Sequence, residues 1–363
     1  MITVYPAEHA LHAPPNEWLN GVLRPAHESP QRAEVIRAAV ERAGLGPIML
    51  PRPHGPAPLA AVHAPEYLRF LEGAYERWVA AGGSPTAVMP DTLAVRWMGR
   101  RSASPLAEPG YFAFDLGAAI VAGTWRAACA SADAALTAAD LLLAGERAAY
   151  ALCRPPGHHA GHDLYGGYCF LNNAAIAAEW LLRVGAATWA ADDRRPAPSA
   201  AHPAPTVAIL DIDYHHGNGT QQIFYGRRDV LVVSLHADPD REYPYFAGYA
   251  DERGAGDGLG FNRNIPLPAG VDDAGYLAAL DAALAEIAAC APAWLVVAAG
   301  FDTFGGDLIG DFALTGDAYP QIGRRLAALG LPTLFVQEGG YAIEALGENV
   351  VGLLRGFEAE AWG

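Results

Sequence analysis

Short apolar runs alternate with helix-length segments along this chain, and that alternation limits the fold more than any other feature. Residues 148–153, 206–211, 230–236, 294–302 and 333–341 each contain such a run, short and bounded by polar residues, Gly or Pro. Runs of this kind read as strands buried on both faces. Helical signals lie among them, over 125–144, from 172–173 onward, and over 276–289 and 317–329. Strands alternating with helices predict an α/β fold: a mostly parallel, multi-stranded sheet with helices on both faces and right-handed crossovers. No internal repeat and no domain boundary is visible, so residues 1–363 read as one domain.

The N-terminal part is helical in two places. Ser29 as N-cap, Pro30 at the first helical position and Gly44 as a stop delimit a helix over 29–43. A Pro-rich link leads to a second helix over 65–81, with Leu68, Leu71, Tyr75 and Trp78 at helical spacing. Residues 82–110 form a long irregular loop rich in Pro, carrying Trp97, Met98, Arg100 and Arg101 in exposed-looking positions. A loop of that length inside a compact domain reads as a lid or an interaction element. Residues 188–205 are low-complexity and read as a surface loop at the N-terminal end of the 206–211 strand, which excludes His202 as a ligand.

The chemistry gathers where strands stop. His158-His159 follow the first strand, Asp211, Asp213 and His215 end the second, and Ser234-Leu235-His236 end the third. Asp302 ends the fourth and Tyr341 follows the fifth. In a parallel sheet these carboxyl ends lie side by side, and ligands bind there. One polar strand end is an ordinary hydrogen-bonded turn, but the whole set points to one composite active site. On a strand, side chains at i and i+2 share a face, so Asp211, Asp213 and His215 point the same way at its C-terminal end, with Cα atoms about 6.5 Å apart. Asp213, His215 and Asp302 then supply two carboxylates and an imidazole, a donor set that leaves positions open on a catalytic zinc. Adjacent His158 and His159 suit proton transfer better than ligation. Asp211 can orient an imidazole or bind a monovalent ion, and Tyr341, after Gly339-Gly340, can donate to an oxyanion. Together these groups describe hydrolysis of an amide or ester.

Composition narrows the setting. Forty acidic residues oppose 24 basic ones, all Arg, for a net charge of −16. No basic stripe exists to neutralise phosphates, which argues against nucleic-acid binding, whereas a negative field draws in cations. No apolar run reaches the ~20 residues of a membrane span, and the first residues lack a basic, then apolar leader. Cys129, Cys153, Cys169 and Cys290 are scattered without CxxC spacing, as reduced thiols of a cytoplasmic protein would be.

Taken with their order and spacing, these stretches are similar to a known family. Arg154-Pro-Pro-Gly-His158-His159-Ala160, Gly166-Gly167-Tyr168-Cys169-Phe170-Leu-Asn-Asn173, Asp211-Ile-Asp213-Tyr-His215-His216-Gly-Asn218-Gly-Thr220, Gly300-Phe-Asp302-Thr303 and Glu338-Gly-Gly-Tyr341 resemble the histone deacetylase superfamily. The likeness covers about residues 1–355, and the N-terminal third with the long loop looks most like bacterial acetylpolyamine amidohydrolases. The resemblance implies an arginase/deacetylase-like sheet and zinc on Asp213, His215 and Asp302, with iron or cobalt as substitutes. It makes His159 the general base toward water, His158 (held by Asp211) an electrostatic aid that protonates the leaving amine, and Tyr341 the polariser of the carbonyl. A structural potassium ion would lie on Asp211, Asp213, His215, Ser234 and Leu235. The acylated chain would thread past Gly167 between Tyr168 and Tyr243. The 82–110 loop would pair two subunits as a homodimer and narrow the channel entrance.

Some residues depart from the pattern. Asn218 stands where class I enzymes carry an aspartate, and Tyr243 where phenylalanine is commoner. Acidic residues in the loop of acetylpolyamine enzymes hold the distal ammonium. Glu108 and Asp115 are candidates for that task here, while Gly117 occupies the position where a glutamate is expected. The sequence thus predicts a zinc-dependent deacetylase of small acetylated amines, polyamines first, with a broader acyl-lysine or acylamide hydrolase as the alternative. A catalytically silent ligand-binding member is a rival of another class, and retention of Tyr341 speaks against it.

Overall fold

The computed structural model describes residues 1–190 and 206–361. Its frame is an eight-stranded sheet in which every neighbouring pair is parallel. In chain order the N-terminal third gives β1 (Ile2–Val4), β2 (Asn16–Leu19), β3 (Val22–Pro25), α1 (Pro30–Ala43), β4 (Ile48–Met49), α2 (Ala57–Ala60), α3 (Pro65–Ala80) and α4 (Glu108–Phe112). The middle gives α5 (Thr124–Leu143), β5 (Ala148–Ala151), α6 (Asn173–Ala190), β6 (Val207–Asp211), α7 (Asn218–Phe224), β7 (Val230–Ala237) and β8 (Asn262–Leu267). The last part gives α8 (Asp273–Cys290), β9 (Trp294–Ala299), α9 (Ala318–Ala327), β10 (Thr333–Gln337) and α10 (Ile343–Ala361). Strand order is β4-β1-β5-β10-β9-β6-β7-β8, with β2 and β3 forming a separate antiparallel hairpin.

The strands are apolar on both faces because both are covered. Val207 and Ile209 of β6 belong to the apolar cluster on one side of the sheet, which includes residues of α3, α5 and α6, while Ala208 and Leu210 belong to the cluster that includes residues of α1, α8, α9 and α10. The expected helix over 29–43 is α1: Ser29 is extended, Pro30 opens the helix, and Gly44 closes it in the left-handed region at φ 66°. The expected low-complexity loop over 188–205 begins later, since α6 continues to Ala190. The rest of that segment, with His202, lies outside the described residues.

One expectation needs correction. β6 stops at Asp211, so Asp211, Asp213 and His215 do not share a strand face. The aspartates end the strand themselves. Asp211 Oδ1 accepts from the amide of Asp213 at 3.0 Å, and Asp213 Oδ1 from that of His215 at 2.9 Å. A carboxylate that captures the amide two residues on bends the chain into a turn.

Candidate active site

β5, β10, β9 and β6 are consecutive neighbours in the sheet, so the segments leaving them meet at one edge. The turn after β6 brings Asp213 and His215 to Asp302, which follows β9, and potential ligand atoms of all three lie within 4.8 Å of one another. His215 Nδ1 is 3.1 Å from Asp302 Oδ2 and 3.4 Å from Asp213 Oδ1. The second oxygens of the carboxylates are fixed by backbone: Asp213 Oδ2 accepts from Gly339 N at 2.8 Å, and Asp302 Oδ1 from Tyr214 N at 2.9 Å.

All three side chains are buried, and among the described residues no arginine forms an ion pair with either carboxylate. Burial, then the Asp213 charge, pushes the Asp302 carboxyl up to about 7. Burial opposes the charged form of His215, but the hydrogen bonds and charges of Asp213 and Asp302 outweigh it and raise its pKa to about 10. Two buried carboxylates and an imidazole held together in this way form an O, O, N donor set, and a divalent metal fits such a set. A second buried trio, His158, Cys169 and Glu338, lies alongside. Glu338 Oε2 accepts from the amides of Gly157 (2.7 Å) and His158 (3.1 Å), His158 Nδ1 faces Asp211, and Glu338 Oε1 is buried without a partner among the described residues.

The two histidines after β5 are held in opposite states. His158 Nδ1 lies 3.0 Å from Asp211 Oδ2. Burial disfavours its charge, yet Asp213 and Asp211 overcome this and lift its pKa well above the usual value. His159 is pushed well below, first by burial and then by the neighbouring His158 and His215 charges. Its Nδ1 is 2.7 Å from Asn218 Oδ1, which fixes the proton there and leaves Nε2 as an acceptor.

Above these groups lies a cavity of about 470 Å³, reached by His158, His159, His215 and Tyr341 and walled by Tyr168 and Tyr243. Gly167, at φ 52°, comes so close to His159 that a side chain there would overlap the imidazole. Burial raises the Tyr341 hydroxyl well above its ordinary pKa, so it stays protonated as a donor. Arg32 cradles that tyrosine: its Cζ is 4.6 Å from the ring centroid, while Nε and Nη2 donate to the carbonyls of Gly340 and Glu338, each at 2.6 Å.

Of the candidate residues named from the sequence, all but Glu108, Ser234 and Leu235 line this cavity or lie at its floor. Ser234 and Leu235 are buried on β7, with Ser234 paired in register with Asp211. Glu108 is the correction. Its carboxylate is taken up by Arg77, at 3.2 Å, and by Arg101, and it is not among the side chains that line the cavity. Asp115 does line it, but is clamped by Tyr243 Oη (2.6 Å) and the amide of Gly167 (2.9 Å). Sequence reasoning missed Arg32, because an arginine on an amphipathic helix carries no mark of burial. It also assigned no role to Glu338, although that residue sits inside a quoted motif.

Comparison with known proteins gives the family. Residues 26–357 match the histone deacetylase domain model. Acetylpolyamine amidohydrolase 1 of Pseudomonas aeruginosa is 49% identical, covering 99% of this chain and 100% of the relative. The acetylpolyamine amidohydrolase of Mycoplana ramosa is 43% identical over 98% of this chain and 99% of its own. A crystal structure of the acetylpolyamine aminohydrolase from Burkholderia pseudomallei superposes with a TM-score of 0.89 at 42% identity, covering 99% of both chains. The chain therefore belongs to the histone deacetylase family and is an amide-hydrolysing deacetylase.

Proposed function

We propose that this enzyme removes acetyl groups from small acetylated amines, acetylpolyamines first, with a divalent metal on Asp213, His215 and Asp302. The observation that carries the reading is the convergence of this metal-type trio with His158, His159 and Tyr341 beneath one cavity. The identity to named acetylpolyamine amidohydrolases supports the substrate class. When bound, the metal, zinc by its donor set, polarises the acyl carbonyl and acidifies water.

The protein's own groups supply the rest. Neutral His159 takes a proton from the attacking water on Nε2 while Asn218 holds its ring by Nδ1. The Tyr341 hydroxyl donates to the oxygen of the carbonyl as negative charge develops on it. As the carbon–nitrogen bond breaks, the charged His158, steadied by Asp211, gives its proton to the leaving amine. Tyr168 and Tyr243 flank the alkyl chain. A potassium ion beside Asp211, with Ser234 and Leu235 contributing oxygens, completes the proposed ion set. A homodimer through the 82–110 loop is part of the same reading.

A broader acylamide or acyl-lysine hydrolase is the second reading, favoured by Gly117, which lines the cavity without filling it. The test is kcat/KM for N-acetylputrescine, N-acetylcadaverine and an acetyl-lysine peptide, repeated with Tyr341→Phe. The acetylated diamines should lead, and the variant should lose about a hundredfold or more, the scale of a lost oxyanion donor. A tenfold preference for the peptide would overturn the polyamine assignment.

A further inference from the structure

Among the described residues, the cavity wall holds one carboxylate with no hydrogen-bond or ion-pair partner. Asp115 is spent on Tyr243, Gly167 and the amide of Gly117 at 3.0 Å, and Glu108 is paired with Arg77 and Arg101. Glu242 lines the same cavity, directly before the wall residue Tyr243, and its carboxylate takes part in no hydrogen bond or ion pair among the described residues. Burial, then the nearby Asp311 charge, pushes its carboxyl up, and His215 and Arg241 offset this only in part. A half-buried carboxylate with no hydrogen-bond or ion-pair partner among the described residues is free to take a cationic group of the substrate. The tyrosine walls exclude water from an alkyl chain but offer no positive group to meet it.

We propose that Glu242 receives the free ammonium of a short acetylated diamine, so that it, rather than Asp115 or Glu108, selects for a cation near the scissile amide. The assignment rests on the deacetylase reading of this cavity and adds the residue that sets its charge preference. Arg24, on the β2–β3 hairpin, lines the cavity as well, and its guanidinium has no ion-pair partner among the described residues. Its charge opposes a cationic substrate, so its removal should act in the opposite direction.

The experiment compares kcat/KM for N-acetylputrescine with that for uncharged N-pentylacetamide, in which a methyl replaces the ammonium, and titrates putrescine by calorimetry. In Glu242→Gln the charged-to-neutral ratio should fall about tenfold to a hundredfold, the worth of one charge-assisted hydrogen bond. The change should fall on KM rather than kcat, and putrescine binding should weaken in proportion. Arg24→Gln should raise the ratio. An unchanged ratio with unchanged putrescine affinity would overturn the assignment, as would an equal loss on both substrates, which marks a structural role. If the wild type hydrolysed neither amide, the small-amine substrate reading would fail, and the putrescine titration would still decide Glu242.

Discussion

At Gly167 the site depends on a missing side chain. The residue has φ 52°, its amide donates to Asp115 at 2.9 Å, and a Cβ would overlap the His159 ring and sit 2.8 Å from Tyr243 Oη. An alanine there adds about 1–2 kcal/mol of left-handed strain and pushes the imidazole off its Asn218 partner. Gly167→Ala should cost about a hundredfold or more in kcat/KM, because misplacing a base by an ångström is that expensive. The melting temperature should drop only by a few degrees. Equal activity with the wild type would show that His159 needs no such exact seat. Asp302 gives a second prediction at this scale. Asp302→Asn removes a charged ligand and should leave purified protein with little bound metal by elemental analysis, whereas wild type should lose activity to a chelator and regain it with a divalent ion. Full metal content in the variant would argue against Asp302 as a ligand.

Among the elements, those that run through the core were legible and those at its margins were not. β6, β9 and β10 are each built on an apolar run, and α1 has its Ser29-Pro30 start and Gly44 stop, so pattern and capping agree with burial. β1 and β4 have three and two residues, too few for any period to register. β8 reads Asn-Arg-Asn-Ile-Pro-Leu, the mixed sequence of an edge strand beside β7. The β2–β3 hairpin did carry a signal. Asn20-Gly21, both at positive φ, is the two-residue turn that joins strands with the right twist. The candidate metal ligands were readable from residue type, but the turn that aims them was not, since it depends on carboxylates bonding their own backbone. His63, between α2 and α3, ties such margins together. Its Nδ1 donates to Gly161 O at 2.8 Å and its Nε2 accepts from Asn172 N at 3.0 Å, so only the neutral ring fits. Burial pushes its pKa down to about 4 from 6.5. The unfolded chain therefore binds the extra proton first, and stability present above pH 6.5 is lost as pH falls toward 4. The full shift is worth about 3 kcal/mol. Urea midpoints at pH 7.5 and pH 5 should diverge more in wild type than in His63→Gln, and parallel curves would remove His63 from that account.

For the whole molecule, the 82–110 loop reverses the character of the rest of the surface. Val95 and Trp97 are 54% and 89% exposed, and Met98 and Leu106 are exposed beside them. Between residues 92 and 107 the loop carries Arg96, Arg100 and Arg101 and no acidic residue, in a chain whose net charge is −16. An acidic molecule repels its own copies except where a basic, apolar segment meets an acidic face, and an exposed apolar patch is a docking surface more often than decoration. The same loop supplies Leu93 to the cavity wall, so whatever covers it also shapes the channel. We expect a homodimer in solution, closed through this loop. Light scattering on native protein should give twice the 38.2 kDa chain mass. The double variant Trp97→Ser, Met98→Ser should shift it toward monomer and raise KM for acetylated diamines while leaving the metal content intact. Wild-type protein that scatters as a monomer at assay concentrations would assign the loop to the channel alone.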